Sequence, residues 1–229
     1  MEECECLSKE ADGFHGLYLY LIMVKKQPFR LLLSMMLAFF GFQSIGQTNP
    51  GLAAKIDSLA EVDQKWNGEI RKIRNGESHV DLDEAQTMIS TINSRNYFEL
   101  QKIMTQHGYP GFDLVGEKAS NNFWLLVQHQ DEHREFQEAV LEKMKMEVNR
   151  KNAAPKNFAY LTDRVGINSN QLQIYGTQMR LNSDSTSYEP MPTLYPEGLD
   201  DRRAEVGLPP MEAYIKIMNE HYFGTLKGN

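Results

Sequence analysis

At 229 residues, 41% hydrophobic and 24% charged, the chain has the size and make-up of one globular domain with a real core. Its formal charge of −7 and pI near 5.4 argue against a nucleic-acid backbone as partner, because phosphate binding wants a basic face and no dense Lys/Arg cluster follows Arg30. Both cysteines, Cys4 and Cys6, precede the leader-like segment, so a chain matured beyond it has no disulfide, no thiolate zinc site and no cysteine nucleophile.

The leader reads Met23-Val-Lys-Lys-Gln-Pro-Phe-Arg30, a basic region, then the apolar stretch Leu31–Phe42, then Ser44 and Gly46 at the small-residue places of a signal-peptidase site. That predicts cleavage before Gln47 and export, periplasmic or secreted. The stretch is too short to span comfortably as a permanent helix, so no stable membrane insertion is expected after cleavage. Residues 1–22, with their acidic Met1-Glu-Glu-Cys-Glu-Cys6, do not fit a leader and read as an extension upstream of an initiator at Met23. The alternative is a cytosolic tail on an uncleaved anchor, to which Leu17–Val24 adds an apolar patch.

After Gln47 the elements follow in order. Leu52, Ile56, Leu59, Trp66, Ile70 and Ile73 mark one face of a long helix ending near Asn75-Gly76. Asp81 or Asp83 caps a second helix through Ile92, and Asn96 caps a third that stops at Gly108. Lys118–His129 is the most apolar segment and is predicted to be central. Phe136, Val140, Met144 and Val148 mark another helix, and Pro155 opens one that Gly166 closes. The period then changes: Gln171–Leu181 alternates and, with Thr186–Glu189 across the Asn182-Ser-Asp184 turn, predicts a β-hairpin. Asp200 or Asp201 caps a short helix, and Pro209-Pro210 begins the last. The expected fold is mainly α, a single-domain helical bundle of about six to eight helices with one small hairpin.

Four polar words stand in apolar frames: Trp124-Leu-Leu-Val-Gln-His-Gln-Asp131, Tyr160-Leu-Thr-Asp-Arg-Val165, Tyr175-Gly-Thr-Gln178 and Arg202-Arg-Ala-Glu-Val-Gly-Leu-Pro-Pro210. Ionisable and amide groups beside buried stretches are costly to desolvate unless they satisfy one another or a ligand, so the words predict one polar pocket. With His107-Gly-Tyr-Pro110, Leu114-Val-Gly116 and Phe136-Gln137, the ordered set resembles a bacterial family known only as a domain of unknown function, numbered six-six-two-four. The resemblance covers about Leu52 to Tyr214 and implies a grouping of these residues without a substrate, cofactor or catalytic role.

Two function classes follow from the words. In the first, the protein is a metal-independent hydrolase or transferase: His129 is the base, Asp131 or Asp163 orients it, and Gln178 or an arginine meets developing negative charge. In the second it is a non-catalytic module that binds a small polar or anionic ligand, or a partner, through the same groups, Gln128, Arg164, Tyr175, Thr177, Gln178, Arg202 and Arg203 included. No cofactor is expected. His129-Gln-Asp-Glu-His133 also spells the ligand pattern of inverted zinc peptidases, which requires both histidines on one continuous helix; relatives in the resembled family tend to carry a proline after the aspartate, which would break it, and no metal is expected. Asp131 could instead cap the following helix. Asp163 and Arg164, adjacent on a helix, point about 100° apart and so cannot face one pocket centre together.

Overall fold

The structure, a computed structural model, describes residues 48–223; the leader, the upstream extension and both cysteines lie outside the described residues. Helix α1 (Pro50–Arg74) starts where the Asn49 side chain accepts from the Leu52 N–H at 3.0 Å and Pro50 supplies a preset φ. It ends in a basic turn, Arg71, Lys72 and Arg74, with Asn75 and the left-handed Gly76 beyond. Its inward face is Leu52, Ala53, Ile56, Ala60 and, unexpectedly, Asp63.

Helix α2 (Leu82–His107), capped by the Asp81 side chain, runs unbroken where two helices were expected. Asn96 is no cap: it is buried in mid-helix. Nothing between Ile92 and Asn96 breaks a helix, since α2 has neither glycine nor proline. Thr91 and Ser94 donate back to carbonyls four residues earlier instead of competing for the backbone.

Helix α3 (Phe112–Gln128) includes one non-helical residue, Gly116 at φ 78°, ψ 163°, after which Ala119, Phe123, Leu126 and Val127 are buried. As expected it is central, packing on α1, on α2, on α4 (Arg134–Asn149) and on α5 (Pro155–Asn168). The core these helices enclose includes Ile56, Leu100, Ile103, Phe123, Leu126, Val140, Met144 and Leu161.

The hairpin is shorter than its alternation suggested. Strands β1 (Met179–Leu181) and β2 (Tyr188–Pro190) pair antiparallel, Arg180 opposite Glu189, while Gln171–Gln178 is a loop that joins the sheet region through a Gln173–Thr193 bridge and the Met191 N–H donated to the Gln178 carbonyl. The alternation is real but inverted. Gln173 is fully buried while Leu172 and Ile174 are exposed, because the Gln173 amide satisfies the Gln178 N–H and the carbonyls of Gln178 and Met191. Gly176 at φ +66° lets this loop turn. A 3₁₀ turn (Pro196–Gly198) leads into α6 (Leu199–Glu205), and α7 (Met211–Phe223) follows. Asp200 does not cap α6; its carboxylate accepts from the Met211 N–H at the start of α7, 2.8 Å away.

The described residues therefore form seven α-helices and one two-stranded hairpin, a mainly α architecture. Among them no helix is long and apolar enough to cross a membrane.

Candidate functional site

His129 follows the last residue of α3, and its Nδ1 lies 2.9 Å from Oδ1 of Asp63 on α1. Asp63 is buried; its other oxygen accepts from Gln64 Nε2 at 2.9 Å and Asn67 Nδ2 at 3.2 Å. A carboxylate is an acceptor only, so Nδ1 carries the proton and Nε2 of the neutral ring is left with its lone pair. The imidazole is partly exposed and lines a cavity of about 370 Å³ together with residues of α1 and α2 and the segment Gln130–His133.

Asp131 turns elsewhere. Arg164 grips it with two bonds, Nε to Oδ1 at 2.7 Å and Nη2 to Oδ2 at 2.5 Å, and Asn168 and Gln137 add donors at 2.9 and 3.3 Å. Asp131 therefore does not cap α4, whose N-terminal position is His133 without a side-chain bond. Burial pushes the Asp131 carboxyl up, but the Arg164 bonds and charge, with Asn168 and Gln137, outweigh it and hold the group below its ordinary value. The stabilisation from this pair is thus present above the unfolded carboxylate range, near pH 4, and is lost as pH falls through the lower folded value. Asp131→Asn is expected to cost about 1 kcal/mol at neutral pH, modest because the pair is partly solvated, and the gap from wild type should close on acidification in urea melts run across pH 2–7. A gap independent of pH would contradict this.

The break between α3 and α4 also removes the helix that the His-x-x-Glu-His pattern needs: α3 ends at Gln128 and α4 begins at Arg134. His133 stacks on Tyr97, ring centroids 3.4 Å apart. Among the described residues no three His, Cys, Asp or Glu side chains are grouped as metal ligands. Gln128 is buried, and its carbonyl, with that of Val127, accepts from Gln137 Nε2. Gln137 thereby closes the C-terminus of α3 and passes on to Asp131.

The remaining words meet, but in a different place. Asp163, buried on α5, accepts from the backbone N–H groups of Ile174, Tyr175 and Thr177 and from the Thr177 hydroxyl, at 2.7 to 3.3 Å. Gln178 Nε2 donates to the Thr177 Oγ1 at 3.1 Å. Arg202 donates to the carbonyls of Ile174, Leu194 and Tyr195. Arg203, fully buried, donates to the carbonyls of Pro209, Tyr175 and Gly176 and stacks over Tyr214, whose hydroxyl donates to the Thr177 carbonyl. The bonds of Asp163, Arg202 and Arg203 go mainly to backbone atoms, and they lock the 174–178 loop against α5, α6 and α7.

The expected single pocket is thus two assemblies. His129 and Asp131 line the cavity, whereas Asp163, Arg164, Tyr175, Thr177, Gln178, Arg202 and Arg203 are absent from its lining. Asp163 and Arg164 diverge as helix geometry requires, one to the loop and one to Asp131. The carboxylate on His129 is Asp63, neither Asp131 nor Asp163. Sequence reasoning passed over Asp63, although a signal existed: it lies seven residues after Ile56 and four after Leu59, on the apolar stripe of α1. A carboxylate on such a stripe asks for a partner.

No curated protein and no solved structure matches the chain. A family model does, over residues 50–227: the chain belongs to the family of unknown function DUF6624.

Proposed function

We propose that this chain is a metal-independent acid–base catalyst, a hydrolase or transferase acting on a small polar molecule, with His129 as the base and Asp63 as the residue that orients it. The observation that carries the reading is the contact of the partly exposed His129 ring, on the wall of a cavity of about 370 Å³, with a buried carboxylate at Nδ1. Such a partner fixes ring and tautomer, and it stabilises the imidazolium that forms when Nε2 takes a proton. In the proposed step Nε2 accepts the proton of an attacking water or hydroxyl as its oxygen bonds to the electrophilic centre, then returns it to the leaving group. A cavity of this size falls within the range for small ligands. The experiment is a screen of chromogenic ester, amide, glycoside and phosphoester substrates with wild type and His129→Gln side by side. A non-catalytic binding module would show no turnover in either protein.

The same proposal places the chain outside the cytosol, on the strength of the Met23–Gln47 segment. Mass spectrometry of protein recovered from its native host should find an N-terminus at Gln47; an intact Met1 in the cytosolic fraction would reject export.

A further inference from the structure

We propose that the His129 cavity takes a ligand bringing hydrogen-bond donors and positive charge, a primary amine on a short aliphatic stem, and discriminates against anions. This rests on the reading of the cavity as the working site and names its substrate class. The lining includes Asp131 and Glu132 but neither lysine nor arginine. Arg164, the cation bonded to Asp131, is already committed in a two-point pair. Asn93 supplies a second, independent sign: its Oδ1 is buried in this lining without any hydrogen-bond partner. A buried acceptor left unsatisfied costs about 1–3 kcal/mol, a cost that a donor on the ligand removes. Ser94 spends its proton on the Ser90 carbonyl, so toward the cavity its oxygen offers lone pairs. With Nδ1–H given to Asp63, His129 too presents an acceptor. Asn93, Ser94 and His129 thus each offer an acceptor on this wall, and Ile70 and Ile89 supply apolar surface for methylene groups. An anion would meet the Glu132 carboxylate with no lysine or arginine in the lining to offset it, while Asp131 is already neutralised by Arg164 and supplies no charge for an anion to bind, which is how a site rejects the wrong charge.

The test is a proton–nitrogen NMR titration of the full chain with n-butylammonium chloride and, at equal ionic strength, sodium butyrate. Butylammonium should shift the Asn93 side-chain amide and the His129 ring, with an apparent Kd at least about tenfold below that of butyrate. Glu132→Gln, on an exposed side chain, should weaken butylammonium severalfold and leave butyrate no weaker. Butyrate binding as tightly as butylammonium, or neither probe moving these resonances, overturns the proposal. The titration is repeated on His129→Gln, which keeps Asn93 and Glu132. If His129 is not the base, turnover survives that substitution while the preference for the amine stands. If the ligand class is wrong, the preference vanishes while any turnover still depends on His129.

Discussion

His129→Gln is expected to lower whatever turnover the substrate screen detects by about 10²–10⁴-fold, the share a positioned general base supplies, while the domain stays folded. The two halves of that expectation have separate causes. Glutamine has no group that takes a proton near neutral pH, so the chemical step loses its base. Its amide can still donate to Asp63, whose second oxygen keeps Gln64 and Asn67, so the buried carboxylate is not orphaned and the stability change should stay within about 1 kcal/mol. Turnover and urea midpoint measured on the same preparations check both halves. Turnover unchanged in His129→Gln sinks the assignment of the base, and a melted domain would make His129 a structural residue.

Asp163→Ala should produce the largest loss of stability, about 3–5 kcal/mol, because it removes a buried acceptor from four donors at once. The N–H groups of Ile174, Tyr175 and Thr177 and the Thr177 hydroxyl all point at that carboxylate. Asp163→Asn offers no escape. Oδ1 accepts from Ile174 and Tyr175 and Oδ2 from Thr177, so whichever oxygen becomes an amide NH₂ then faces N–H groups. It should cost about 2–3 kcal/mol even though the shape is kept. Asp131→Asn, on the half-open pair with Arg164, is the contrasting control. Equilibrium urea unfolding resolves the series, and an Asp163→Ala cost under about 1 kcal/mol would mean that the loop is not held by this carboxylate.

Helix periodicity made most of the fold legible: the apolar stripes of α3, α4 and α5 and the first half of the α1 stripe each became a packed face, while Trp66, Ile70 and Ile73 lie outside the core. Where the reading failed, a side chain satisfied the backbone in place of a regular ladder. Gln171–Leu181 alternates like a strand, yet Gln173 and Asp163 take up the backbone groups that a neighbouring strand would have paired, and only Met179–Leu181 remains a strand. Asn96 has the residue type of a cap but no breaker before it, so the helix runs through.

The candidate site was legible as a set of residue types and not as an arrangement. All four words are polar clusters in apolar frames, and Gln128, Asp163, Thr177 and Arg203 among them are buried. Buried polar groups satisfied by the fold itself and those awaiting a ligand look alike in sequence, since both sit beside apolar stretches. Asp163, Arg202 and Arg203 turn out to satisfy carbonyls and N–H groups, and His129 takes its partner from a helix 66 positions earlier. The gap of seven residues between Leu59 and Trp66 in the α1 stripe is where that partner sits.

The most direct measurement is the tautomer of His129 by long-range proton–nitrogen correlation NMR at a pH where the ring is neutral. Asp63 accepting at Nδ1 predicts a protonated Nδ1 and a bare Nε2, and Asp63→Ala should abolish that bias. A ring protonated at Nε2, or one whose tautomer ignores the loss of Asp63, would contradict the account, because the nitrogen proposed as base would then already carry its proton.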